Sequence, residues 1–460
     1  MRIYLRWCAF TVGSLVAPWL YSASVNAQSS DAPNAILAKQ PPMGWNSWDS
    51  YGLTVTETEF RENTNWLAKH LKPHGWEYVV VDEGWYLENP EAKAGSFRFI
   101  MDADGRYIPA VNRFPSANPA GFKPLADWVH NLGLKFGLHI IRGIPREAVD
   151  RNLPIADSKY HAADAADKSD TCPWNSDNYG VSDKPAGQAY YDSVAKLYAS
   201  WGVDFVKIDC IAANPYKGDE IRTFSEALRK TGRPIVLSLS PGPAPLDKAK
   251  ELRRYAQMWR ISGDVWDHWK QWPKQDWSQG LLGQFDLAAK WAPNVVKGHW
   301  PDADMLPIGY LGPRPGEGKA RNTDLTRDEQ RTLITLWSVL HSPLVMGGNL
   351  TRMDEWTTSL LVNEEVLRVD QSDSESRALV NEPKRAVWTL SSGTGSRSYL
   401  AVFNLDDQSQ TFDYKWTDLS FNGNSYRLRD LWERKDLGTA DRLKITLRPH
   451  ASSLYELKEH

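Results

Sequence analysis

The chain has 460 residues and a nearly balanced charge, 54 Lys+Arg against 57 Asp+Glu, for a formal net charge of −3. That balance lacks the basic excess that neutralises phosphate and argues against nucleic acid as the main partner; 42% hydrophobic and 24% charged residues mark a globular chain, not a disordered one. The 22 tryptophans outnumber both the 18 tyrosines and the 13 phenylalanines, and an indole face suits a sugar ring as well as a core.

Residues 1–27 read as a secretory signal: Arg2 and Arg6 give a positive start, Trp7 to Tyr21 is mostly apolar, and Val25-Asn26-Ala27 precedes a cleavage point. No other run reaches the length of a membrane span, so none is expected after maturation. The expected location is periplasmic or extracellular. There Cys172 and Cys210 either pair or stay as buried thiols.

Met43–Trp48 is the first expected strand. Thr56-x-x-Glu59 is a capping box opening a helix to Leu71, and Tyr78–Val81 follows as a strand closed by Asp82-Glu83. Leu125, Trp128, Val129 and Leu132 form a helix face that Gly133 ends, and Phe136–Ile141 is the next strand. Asp150 to Ala186 reads as a long irregular stretch. Gln188–Ser200 is a helix with Gly202 as its stop, and Val203–Ile208 is a strand ending at Asp209. A helix over Ile221–Lys230 and strands over Pro234–Ser240, Met258–Ser262 and Asp302–Leu306 come next. A helix over Leu333–His341 and a strand over Leu344–Met346 complete about eight units. The economical fold is an α/β (β/α)8 TIM barrel over residues 28–375. From Ser376 to residue 460 short alternating runs take over at Ala386–Leu390, Tyr399–Phe403 and Leu443–Leu447. Turns such as Ser391–Gly395 separate them, and a C-terminal antiparallel β-sandwich is expected.

Active sites of such barrels lie at the C-terminal strand ends, where a carboxylate closing an apolar strand is informative. Asp82-Glu83, Asp209, Asp264 and the pair Asp302 and Asp304 stand at four such ends and converge on one mouth. Two carboxylates, indoles and export fit glycoside hydrolysis: one carboxylate attacks the anomeric carbon while another protonates the leaving oxygen. Asp209 suits the nucleophile, since Lys207 on the same strand face keeps it ionised, and Asp264 suits the acid/base. Arg260 has donors enough to fix a sugar hydroxyl and a carboxylate together. A metal-dependent hydrolase is disfavoured, because the ten histidines are scattered and no His-x-His closes a strand. Neither glycine-rich nucleotide motif occurs. Trp48 and Trp85 at strand ends are candidate sugar platforms, whereas Trp66, Trp128 and Trp201 read as helix packing.

Six segments in register carry a resemblance. Pro41-Pro42-Met43-Gly44-Trp45-Asn46-Ser47-Trp48 resembles the opening motif of glycoside hydrolase family 27, the α-galactosidase (melibiase) family. Val81–Trp85, Phe205–Asp209, Trp259–Asp264, Trp300–Leu306 and Ser342–Leu350 resemble its later motifs, in family order. The resemblance implies a retaining exo-hydrolase with no metal or organic cofactor, Asp209 as nucleophile and Asp264 as acid/base. Trp48, Asp82, Glu83, Lys207 and Arg260 would then line the terminal-sugar pocket. Cys172 and Cys210 resemble the family's disulfide, although Cys210 stands one residue earlier than the usual pattern.

Three departures bear on substrate. Glu83 stands where α-galactosidases of the family carry a second aspartate, and its extra methylene reaches into the space of the galactose hydroxymethyl group; members acting on β-L-arabinopyranosides, which lack that group, resemble this arrangement. His139 replaces the family's tyrosine after the third strand. Ser240 occupies the position of a common glutamate, a change that resembles the N-acetylgalactosaminidase branch. The leading expectation is hydrolysis of terminal α-D-galactosyl residues from a carbohydrate partner, with β-L-arabinopyranosidase next and α-N-acetylgalactosaminidase third. A barrel that binds sugar without catalysis is the alternative from another class.

Overall fold

The computed structural model describes residues 36–93, 95–271, 278–312, 319–391 and 397–459. The expected signal segment, residues 1–27, and positions 392–395 of the expected turn lie outside the described residues. Eight parallel strands follow one another around a single sheet. They are β1 (Met43–Asn46), β2 (Tyr78–Val81), β3 (Lys135–Ile141), β4 (Phe205–Asp209), β5 (Val236–Leu239), β6 (Met258–Arg260), β7 (Trp300–Asp302) and β8 (Leu344–Met346). β8 pairs with β1 at Met43 and Leu344, and a Leu306–Met346 bridge joins the chain after β7 to β8, so the sheet closes into a barrel.

Alternate residues of each strand face opposite ways. Val79, Val81, Leu138, Val206, Ile208 and Leu237 are buried against the surrounding helices. Tyr78, Val80, Phe205, Val236, Met258 and Trp300 form a separate apolar plug in the lower barrel. Two or four residues further along those same faces come Asp82, Lys207, Asp209, Ser238, Arg260 and Asp302. The strand period alone therefore lifts the polar groups to the mouth. The helix Glu57–His70 starts with the expected box: Thr56 Oγ1 accepts the Glu59 N–H, and Glu59 accepts the Thr56 N–H at 2.8 Å.

Three expectations need correction. The seventh strand is Trp300–Asp302, earlier than the Asp302–Leu306 run. Pro301 has no N–H to give, but the ladder to β6 runs on either side of it, through Trp300 N–H to Gln257 O and Ile261 N–H to Asp302 O. The stretch Asp150 to Ala186 is not irregular: Ala166–Thr171 and Asn178–Val181 pair as a hairpin that also pairs with Ile144–Pro145 beyond β3. The helix before β8 spans Arg327–Leu340 and starts nearly two turns before Leu333, because Thr326 and Glu329 form a capping box at its start.

The C-terminal part is a six-stranded antiparallel sheet facing a two-stranded one. Period two works on both faces of its central strands. Ala386, Trp388, Leu390, Ala401 and Phe403 join the barrel core, while Val387, Leu400 and Val402 pack against Phe412, Leu443 and Leu447 of the small sheet.

Candidate active site

One half of the mouth is a caged cluster from β2, β3 and β4. Asp82, one residue past β2, is fully buried, and its N–H donates to Ser47 Oγ. His139 lies on β3 beside Lys207 of β4 in the register. Its Nδ1 is 2.7 Å from Asp82 Oδ1 and its Nε2 is 3.6 Å from Asp209 Oδ2, so one ring spans both carboxylates. Lys207 Nζ stands 3.9 Å from Asp82 Oδ2. The Cys210 N–H donates to Asp209 Oδ1. Cys210 itself has a left-handed φ of 61°, is disulfide-bonded to Cys172, and accepts Arg142 Nε at 2.7 Å on its carbonyl.

The charges follow from this packing. Burial would raise Asp82, but the His139 and Lys207 charges outweigh it and hold the carboxyl well below the usual range. Burial likewise opposes Asp209, yet His139, Lys207 and the Cys210 N–H keep it below its ordinary value. Burial would lower His139, while Asp82 draws it up to about 9. Glu83 goes the other way: burial lifts it to about 8, with Asp209 and Asp82 adding to the rise against the pull of His139. At neutral pH the cluster holds two carboxylates, two cations and a protonated Glu83. Ligand atoms of Glu83, His139 and Asp209 lie within 4.8 Å of one another. Both imidazole nitrogens in that trio face carboxylates, Nδ1 towards Asp82 and Nε2 towards Asp209.

The other half belongs to β6 and β7. Arg260 is buried, and its Nη1 is 2.7 Å from Asp304 Oδ1 while its Nη2 is 3.2 Å from Asp264 Oδ1. Asp304 Oδ2 accepts the Val265 N–H at 2.8 Å, and Asp302 accepts the Asp304 N–H. Burial raises Asp304 to about 6 against the pull of Arg260. Asp264 is different in kind: its side chain is 45% exposed.

The remaining candidates divide. Trp48 is half-buried and begins the short helix after β1. Trp85 is not a sugar platform; it is fully buried among Tyr86, Phe122, Tyr198 and Trp201, and its Nε1 donates to the His139 carbonyl, which it steadies. Trp201 is core as expected. Ser240 is buried just past β5, where its carbonyl accepts the Ile211 N–H beyond Asp209. Ser238 is the β5 side chain level with Lys207. Asp304, which the sequence marks as a strand-end acid without a role, lies two residues past β7 and is the buried partner of Arg260 and of the Val265 N–H.

The family model described as "Alpha galactosidase A" matches residues 176–372, and one for the "Alpha galactosidase C-terminal beta sandwich domain" matches residues 382–457. The crystal structure of a family 27 β-L-arabinopyranosidase from Geobacillus stearothermophilus is 49% identical, with a TM-score of 0.86, over 92% of this chain and 97% of that one. A variant of that enzyme has been solved in complex with arabinose. Alpha-galactosidase 2 of Arabidopsis thaliana is 27% identical over 98% of this chain and 97% of its own. Alpha-galactosidase A of Cellvibrio japonicus is 26% identical over 95% of both. With the barrel, the sandwich and the mouth in place, this chain belongs to glycoside hydrolase family 27 and is a glycosidase.

Proposed function

We propose that the enzyme is an exported, retaining exo-glycosidase whose preferred substrate carries a terminal β-L-arabinopyranosyl residue. Asp209 attacks the anomeric carbon and forms a glycosyl ester as the bond to the leaving oxygen breaks. Asp264 gives that oxygen its proton, then takes a proton from the water that cleaves the ester. Asp82, Lys207 and Arg260 hold sugar hydroxyls, and residues 1–27 act as the export signal.

The observation that carries the sugar preference is Glu83. Its carboxyl stands within 4.8 Å of His139 and Asp209 ligand atoms, and its buried Oε2 has no hydrogen-bond partner among the described residues. A protonated carboxyl there donates to a ring hydroxyl and fills the space that a galactose hydroxymethyl group needs. The likeness to the Geobacillus enzyme supports this order over the α-galactosidase reading, which the sequence alone favours. The test is hydrolysis of aryl β-L-arabinopyranoside, α-D-galactopyranoside and α-N-acetylgalactosaminide, with Asp209→Asn as blank. The arabinopyranoside should have the highest kcat/KM. Preference for the galactoside would return the enzyme to ordinary α-galactosidase activity, and preference for the acetamido sugar would move the specificity to Ser240.

A further inference from the structure

Trp174 is 49% exposed, the only aromatic among the exposed large apolar side chains of the described residues. An indole in water forgoes the burial that drives folding, and one held there by a braced loop is ready to bind an apolar face. The loop Cys172–Asp177 is braced at both ends. Cys172 is disulfide-bonded to Cys210, the residue after Asp209, with Cα atoms 5.9 Å apart. Asp170 pairs with Arg142 at 2.8 Å and with Lys217 at 2.9 Å. Asn175 Oδ1 accepts the Asp177 N–H at 3.0 Å, and Asp177 O accepts the Arg146 N–H at 3.0 Å.

These anchors belong to the chain beyond β3 and β4, the face of the barrel where the site opens. Chain reach puts the Trp174 Cα within roughly 17 Å of the Asp209 Cα. The residues assigned to the terminal sugar do not include Trp174, and in an exo-acting site whatever is attached to that sugar projects outward through the mouth.

We propose that Trp174 is the platform for the aglycone: its face stacks on the pyranose ring attached through the departing oxygen. This rests on the exo-glycosidase reading above. Bracing removes the ordering cost that a mobile aromatic would meet on binding, so the platform contributes affinity and orientation to that ring alone.

The test compares two donors of the terminal sugar the enzyme prefers: a glycosyl fluoride, which has no ring on the leaving side, and a disaccharide. Trp174→Ala should lower kcat/KM for the disaccharide roughly tenfold, chiefly through KM, and change the fluoride less than twofold. Trp174→Phe should recover most of the loss. Equal losses on both donors would make the residue structural, and no loss on either would remove the platform. A wild-type enzyme inactive on every fluoride would overturn the glycosidase mechanism itself, which is a different failure.

Discussion

The two halves of the mouth are built on opposite terms. On the β2–β4 side Asp82, His139 and Lys207 are buried in mutual contact, and Asp209 is held by His139, Lys207 and a backbone N–H. On the β6–β7 side Asp264 is 45% exposed and held by one Arg260 contact, while the firm anchoring lies one layer behind it in Asp304. In the proposed mechanism the first side must keep one carboxylate charged and still, whereas the second must trade a proton with water and the departing oxygen. Burial with compensating charge serves the first task, and exposure with an anchored guanidinium serves the second.

The largest expected effect comes from the caged side: Asp209→Asn should cost roughly 10⁴-fold or more in kcat on every donor, with the fold intact by circular dichroism. Asp304→Asn should break the other side. Asparagine cannot accept from Arg260 and from the Val265 N–H with both terminal atoms, so Asp264 loses its frame and kcat on aryl glycosides falls about 100-fold. A glycosyl fluoride, whose leaving group needs no proton, should be affected far less; an equal loss there would show that the two sides are not separable. Glu83→Asp should shift the arabinopyranoside-to-galactoside ratio of kcat/KM by roughly 10- to 100-fold towards galactoside.

The smallest effect is in the pH profile. His139 has a folded pKa raised from 6.5 to about 9, so its cation beside Asp209 is present below 9 and lost as pH rises through it. Glu83, raised from 4.5 to about 8, surrenders its proton one step earlier and adds a negative charge to the cluster. kcat/KM should therefore fall on the alkaline side between about 8 and 9. His139→Gln should cost roughly tenfold at neutral pH and remove the upper part of that limb. An unchanged profile would mean that the cage acts by shape alone.

Most of this architecture is legible in the sequence because it rests on local rules. The Thr56 box, the Gly202 stop and the Phe205–Asp209 run each state their element within a few residues, and period two raises Lys207 and Asp209 to the mouth. What escaped depended on partners far along the chain. Trp85 stands at a strand end, yet the turn at Gly84, with φ of 81°, sends it into a cluster with Phe122 and Trp201 that no local pattern announces. Asp304 stands out as a strand-end acid, but its task of anchoring Arg260 and the Val265 N–H rests on cross-strand contacts that the sequence does not announce. In the hairpin over Ala166–Val181 the first strand, Ala166–Thr171, is charged and largely exposed and the second, Asn178–Val181, is only four residues long, so neither has an alternation to read, and pairing and the disulfide define them instead.

The helix Arg327–Leu340 carries a further consequence. Every residue from Thr332 to Leu340 is buried, because the barrel takes one side of the helix and the sandwich the other. Thr332 Oγ1 donates to the His450 carbonyl, and Trp432 Nε1 donates to Thr335 Oγ1. A helical stretch buried all round has no solvent face to fall back on. Cutting the chain after residue 375 would strip one wall from this helix and not release an autonomous module. Barrel and sandwich should consequently melt in a single calorimetric transition, and the shortest chain that folds should be the one that retains both.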